Sequence, residues 1–204
     1  MSDLSKTDDL FFNRAGMDLG RVESLAENAL NGADDGELYL EYCQSEAVVF
    51  DDGQLKNASF NTSQGFGLRA VCGEVTGYSH ASELSEEAIK RAAETVKTVH
   101  AGQGGNMSSP PTGTNTQLYT DDNPLSLVEF ETKVKLLTDI DAYARSKDER
   151  VAQVSASLSG SWQVVQVLRP DGVRAADIRP LVRLNVTVMV AQGDRMETGS
   201  YGAG

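Results

Sequence analysis

Apolar residues change their spacing several times along this chain, and each change marks an element. After a polar start, Val22, Leu25, Ala26, Ala29 and Leu30 follow the helical i, i+3, i+4, i+7 spacing, with Asp18 as cap and Asn31-Gly32 as stop. The period then drops to two. Leu38, Leu40 and Tyr42 alternate with Glu37, Tyr39 and Glu41, and Ala47 to Phe50 extends the run. Asp52-Gly53 supplies residues that tolerate the positive φ of a tight hairpin. Phe66 to Cys72, the Gly73-Glu74 turn and Val75 to His80 form a second hairpin. A helical period returns over 82–100, capped by Ser82 or Ser85, with Ile89, Ala92, Ala93, Val96 and Val99 on one side.

Residues from Ala101 to about Thr120 show no periodicity and are rich in Gly, Ser, Thr and Pro, a connection longer than most loops and therefore functional or mobile. Asn123-Pro124 is read as the start of a long helix, with the capping box Ser126-x-x-Glu129 as an alternative start. Its buried stripe is expected at Leu127, Phe130, Val134, Leu137 and Ala144. From Val151 the period is two again, through Val151 to Ser159, Trp162 to Leu168, an Asp171-Gly172 turn, Leu184 to Val190 and a turn at Gly193. Helix, strands and an Asp-Gly turn thus occur twice, the two Asp-Gly pairs 119 residues apart. A duplicated helix-plus-hairpins unit and a chance alignment of helices and hairpins both remain open. The pattern predicts an α+β fold of antiparallel hairpin-rich sheets with helices packed on one face, because most strand connections are too short for parallel crossovers. The expected domains are a first α+β unit over 1–100, a connection over 101–123 and a second α+β unit over 124–204.

The composition leaves room for a sizeable core, with 40% hydrophobic residues in 204. The start, MSDLSKTDDLFF, is acidic where a secretory signal is basic and then apolar, so the chain is expected to stay in the cytoplasm. Cys43 and Cys72 lie inside strand-like runs and read as buried free thiols, with a disulfide or reactive role as the alternative. The net charge of −12 argues against a nucleic-acid surface spread over the chain. Residues 1–149 hold 12 Lys/Arg against 26 Asp/Glu, and 150–204 hold 6 against 4, so the first part is net −14 and the second net +2.

Several strings offer candidate chemistry. Gly65-Phe66-Gly67-Leu68-Arg69-Ala70 fits G-x-G-x-x-G/A in letters, but Val71-Cys72 continues as strand, and without a helix N-terminus the motif cannot hold a pyrophosphate. His80 and His100 have no second histidine at zinc-ligand spacing; they read as the ends of a strand and a helix, with a site built from His80, Cys72 and a distant carboxylate as the weaker alternative. Asp8-Asp9, Asp34-Asp35, Asp51-Asp52 and Asp121-Asp122 read as turn and solvation residues. Arg169, Arg174, Arg179 and Arg183 fall within one polar run, either a solvated hairpin arm or a carboxylate-binding interface. No catalytic, cofactor-binding or metal-ligating residue is assigned.

Three longer stretches carry a more specific signal: residues 36–81, the join QLYTDDNPL at 117–125, and residues 150–204, above all SASLSG followed by DG-x-x-AADIRPLVRL. Together they resemble the N-terminal portion of the TldD/PmbA family of metallopeptidases, earlier described as modulators of DNA gyrase, on its TldD-type branch. The resemblance implies a cytoplasmic, zinc-dependent hydrolase acting on peptides or unfolded polypeptides, paired with a homologous TldE/PmbA-type subunit. It places the metal on an HExxxH helix and a later cysteine of a C-terminal portion, and His80 and His100 do not match that motif. It makes this region a scaffold and pairing region beside the peptide channel, inactive alone, with zinc expected in the full-length protein. A non-catalytic peptide- or protein-binding module is the alternative. Direct contact with nucleic acid or membrane is not expected.

Overall fold

The computed structural model describes residues 3–100, 107–109 and 119–204. The predicted α+β architecture is observed. Its elements are α1 (Asp3–Asp8) leading into a π-helical turn (Asp9–Arg14), α2 (Leu19–Leu30), β1 (Asp35–Asp51), β2 (Gln54–Cys72), β3 (Val75–Ala81), α3 (Glu86–His100), α4 (Phe130–Arg145), β4 (Val151–Leu168), β5 (Arg174–Gln192) and β6 (Arg195–Ala203). All six strands form one sheet in the order β3-β2-β1-β4-β5-β6. The element order helix, strand, strand, strand therefore occurs twice, as α2-β1-β2-β3 and α4-β4-β5-β6. Asp52 and Gly53 close the β1–β2 hairpin at φ 49° and 76°, the left-handed values that a two-residue turn demands.

The strands are longer than the alternation suggested. β1 is a single strand of 17 residues, roughly 55 Å end to end. β2 takes in the polar stretch 54–65, and β5 takes in the arginine-containing run through Pro180. Among the described residues the ladder with β6 runs from Leu184 to Gln192, so Pro180 lies outside it.

The chain forms two compact units that are not consecutive in sequence. The first contains Met1–Cys43, Ser63–Leu118 and Gln163–Ile178. Here Asp18 caps α2 as predicted, accepting from the Arg21 N–H at 2.9 Å, and Ser85 caps α3 by accepting from Ala88. α3 packs on β3 and on α2. Leu30, Leu38, Leu40, Leu68, Ile89 and Leu168 are fully buried between helices and strands. Burying each such side chain contributes about 1.5–3 kcal/mol. The start of the chain is not merely polar: α1 and the π-helical turn bury Thr7, Phe11 and Phe12.

The second unit contains Gln44–Thr62, Tyr119–Trp162 and Arg179–Gly204. Its core is smaller, with Val48, Phe50, Leu137 and Ala156 buried and Val134, Ile140 and Leu184 packed against them. α4 begins at Phe130, several residues after the predicted start. Asn123 explains the delay: its Oδ1 accepts from Leu125 N–H and its carbonyl from Ser126, so the side chain captures its own backbone in a turn. Leu127 and Phe130, expected in the buried stripe, are exposed in consequence. Lys133 takes part of their place; it is buried, and its ammonium donates to Glu46 at 2.6 Å and to the Leu125 carbonyl at 2.7 Å.

Candidate functional site

Strand alternation sends Leu38 and Leu40 into the core of the first unit and therefore turns Asp35, Glu37, Tyr39 and Glu41 to the opposite, outer face. The β2–β3 register pairs Gly67 with His80 and Arg69 with Tyr78, which adds these residues to the same face. A polar band thus crosses β1, β2 and β3, with Gln163 and Arg169 reaching it from β4 and just beyond.

One end of the band is an ion-pair cluster. Arg69 forks onto Glu37, with Nε at 2.7 Å from one carboxylate oxygen and a terminal nitrogen at 2.7 Å from the other, and reaches Asp35 at 2.8 Å. Arg169, just past the end of β4, approaches Asp35 at 2.9 Å and donates to the Ser108 carbonyl at 2.8 Å. Burial works against the Asp35 charge, but the two guanidinium groups outweigh it and hold its carboxyl below the ordinary carboxylate range. Arg69 is held further toward its charged form, chiefly by the bonds to Glu37 and Asp35. Every charge here is matched, which makes the cluster a clamp across β2, β1 and β4.

The other end is a groove of about 300 Å³ lined by Tyr39 and Glu41 of β1, residues 63–67 of β2 and Tyr78 and His80 of β3. Gly65 and Gly67 of β2 lie against it, and each lets a neighbour approach closely. A Cβ on Gly67 would meet the Tyr78 hydroxyl at 2.8 Å, and one on Gly65 would meet the Ala81 carbonyl oxygen at 2.6 Å. The Tyr78 and His80 rings stack at 5.5 Å between centroids. Glu41 accepts from the Tyr39 hydroxyl at 2.6 Å and from Gln163 Nε2 at 3.0 Å, both on Oε2.

The residues singled out in the sequence are distributed as follows. Gly65 to Ala70 sit within β2 with strand continuing to Cys72, so the glycines serve close packing and not a helix N-terminus. His80 belongs to β3 and to the groove wall; His100 ends α3, and its side chain lies outside the described residues. Cys72 is buried with its thiol 3.7 Å from the Gly32 carbonyl, and burial together with nearby Glu41 pushes the Cys43 thiol up. Neither is in a disulfide, and Cys43, expected to be buried, is only partly so. Most of the connection from Ala101 to Thr120 lies outside the described residues. Among the described residues, no group of three or more His, Cys, Asp and Glu side chains could hold a metal ion, so the zinc that the resemblance implies finds no fit here. No described helix is long and apolar enough to cross a membrane.

The four arginines of the polar run divide. Arg169 is clamped to Asp35, and Arg174 is ion-paired to Asp8 and lies near Phe12, so two of the four are internal. Asp8 and Asp35, read from the sequence as turn residues, are their acceptors. Arg179 and Arg183 remain exposed. Of the groove residues, Gly67 stands out in the sequence only within the Gly65 to Ala70 string, and Glu41 and Tyr78 not as site residues; the one signal for the face is the alternation that places Glu37, Tyr39 and Glu41 opposite the core.

Residues 36–99 match the first domain of the PmbA/TldA metallopeptidases, and residues 123–204 match the central domain of the same family. A metalloprotease TldD homolog of Haemophilus influenzae is 40% identical over 174 residues, which cover 84% of this chain and 36% of that protein. A metalloprotease TldD homolog of Buchnera aphidicola subsp. Schizaphis graminum is 34% identical over 181 residues, covering 88% of this chain and 38% of that one. The chain therefore spans little more than a third of the length of these relatives. Among solved structures, TldE from Thermococcus kodakarensis superposes with a TM-score of 0.65 at 14% identity, covering 90% of this chain and 42% of its own. A Bacteroides thetaiotaomicron protein described as a modulator of DNA gyrase gives 0.72 at 13% identity, covering 90% and 44%. At such identities the structures speak for the fold alone.

Proposed function

Because the chain belongs to the TldD/PmbA metallopeptidase family, we propose that it is the N-terminal scaffold and subunit-pairing region of a zinc-dependent peptidase acting on peptides or unfolded polypeptides in the cytoplasm. The observation that carries this reading is the match, in order, to the first and the central domain of one metallopeptidase family. The described residues supply no metal ligands, so no hydrolytic step is assigned to them. Their contribution is positional: a long antiparallel sheet offers backbone donors and acceptors to an extended chain. β3 pairs with 66–72 only, so the 54–65 stretch of β2 has an outer edge free of a strand partner among the described residues.

The test has two arms. The 204-residue chain with added zinc should show no peptide turnover, whereas the same chain continued through a C-terminal HExxxH portion and mixed with a TldE/PmbA-type subunit should hydrolyse peptides. Turnover by the 204-residue chain alone would overturn the scaffold assignment. Failure of the two subunits to co-elute would overturn the pairing role. A continuation that lacks HExxxH would favour a peptide-binding module without catalysis, a reading supported by the open β2 edge.

A further inference from the structure

The connection from α2 to β1 opens with a type II turn over residues 30–33. Asn31 stands at φ −65° and ψ 121°, Gly32 at φ 87°, and the Ala33 N–H closes the turn on the Leu30 carbonyl at 3.0 Å. Leu30 and Ala33 are buried and anchor its two ends. The peptide plane between Asn31 and Gly32 is held by neither of its polar groups. Among the described residues the Asn31 carbonyl and the Gly32 N–H have no hydrogen-bond partner, and the exposed Asn31 carboxamide has none either. Turning that plane changes ψ of Asn31 and φ of Gly32 in opposite senses, and glycine accepts either sign of φ. The Gly32 nitrogen thereby comes over the Asn31 side-chain carbon without breaking a hydrogen bond, and no Cβ on Gly32 obstructs the approach. Asn31 is the only asparagine in the sequence that precedes a glycine.

We propose that Asn31-Gly32 is a site of spontaneous covalent modification that places a carboxylate at the end of α2. The Gly32 nitrogen, giving its proton to hydroxide, bonds to Asn31 Cγ; the Cγ–Nδ2 bond breaks, ammonia leaves, and a five-membered succinimide remains. Water then opens the ring at either carbonyl, leaving aspartate or isoaspartate at position 31. The fold makes either product unfavourable. Asn31 follows the C-terminal turn of α2, which carries no basic residue, and it lines a cavity of about 630 Å³ together with Glu27 and Asp171. The new carboxylate therefore stands at the negative end of the helix dipole and shares a cavity with two others. An isoaspartate also lengthens the main chain between the buried anchors Leu30 and Ala33. Asp35-Gly36 is the contrast within the same connection: Arg69 and Arg169 hold the Asp35 carboxylate, and Gly36 lies against the Arg69 carbonyl and the Leu30 side chain, so the same ring closure is blocked there.

The test follows the 204-residue chain at mildly alkaline pH, natively folded and in guanidinium chloride. Mass spectrometry of the tryptic peptide 22–56 reads the conversion, with electron-transfer fragmentation to separate aspartate from isoaspartate. Asn31 is expected to convert ahead of every other asparagine, in proportion to hydroxide, at a folded-state rate within about tenfold of the unfolded one. Asn31→Asp should lower the thermal midpoint by about 1–4 °C at low salt and by less at high salt. Asn31→Gln, which keeps the amide at an exposed position, should leave the midpoint unchanged and the peptide unconverted. Folded-state conversion slower than that tenfold limit, earlier conversion at another asparagine, or an Asn31→Asp midpoint equal to the parent's would each overturn the proposal.

Discussion

The two compact units each take parts of β1, β2, β4 and β5 and bury them differently. In the first, two long helices and an N-terminal helical segment seal one sheet face, and Phe11, Leu38, Leu40 and Ile89 are wholly buried. In the second, α4 covers a cluster of Val48, Phe50, Leu137 and Ala156, every residue of β6 is exposed, and Phe60, Met196 and Tyr201 stand 57%, 64% and 76% exposed. Strands in the second unit are thus held by their ladders and by cross-strand side-chain bonds more than by burial. Charge joins that small core, since the buried Lys133 is ion-paired to Glu46 at 2.6 Å. A buried ion pair is a weaker cement than packed hydrocarbon and a costlier one to break.

The sharpest way to break this contrast is to remove half of that pair. Lys133→Ala should destabilise the chain by roughly 2–3 kcal/mol in urea denaturation, because the partly buried Glu46 loses its charge partner; exchanging both residues for apolar ones of similar size should recover most of the loss. Next comes the first unit's tightest approach. A Cβ on Gly36 would sit 2.5 Å from the Arg69 carbonyl oxygen, backbone that cannot swing away, so Gly36→Ala should cost about 1–3 kcal/mol. Asp18→Ala removes the α2 cap and should cost about 1 kcal/mol. Acid should act on the clamp in a defined direction. The folded-state pKa of Asp35 lies below its unfolded value, so its stabilisation is complete above about pH 3.9, the ordinary aspartate value, and is lost as pH falls through the folded pKa. Acid titration of Asp35→Asn beside the parent chain checks this: the variant should lack that portion of the acid-induced loss. The smallest effect is expected at Arg183, which is exposed in the second unit, and Arg183→Ala should change stability by no more than about 0.5 kcal/mol.

What could be read from the sequence follows from where burial is one-sided. α2, its Asp18 cap, the Asp52-Gly53 hairpin and the β2–β3 hairpin all announce themselves, because apolar residues recur at one period and a turn residue interrupts them. Residues 54–64 of β2 do not, since strand formation there buries almost nothing and leaves no apolar alternation to detect. The N-terminal helix hides for a related reason: its buried aromatics, Phe11 and Phe12, are adjacent, so they show neither helical nor strand spacing. α4 was placed too early because Asn123 and Ser126 can serve equally as helix caps or as turn formers, and only the tertiary setting chooses. The groove was invisible as a unit. Glu41, Gly67 and Tyr78 come from three strands, and a glycine pair in a strand carries no message until its neighbours in space are known. Even so, the outward alternation of Glu37, Tyr39 and Glu41 was legible, and it names half of the wall.

The turns preserve something the side chains do not. Gly53 and Gly172 share a φ of 76°, and Gly73 and Gly193 share a φ of 58°, at corresponding points of the two helix-and-three-strand runs. A left-handed residue is hard to replace without strain, whereas an exposed serine or lysine is replaced freely. Ancestry, if it is shared between the two halves of this chain, is therefore written in its corners, and a search for it is better conducted by comparing backbone angles than by counting identities.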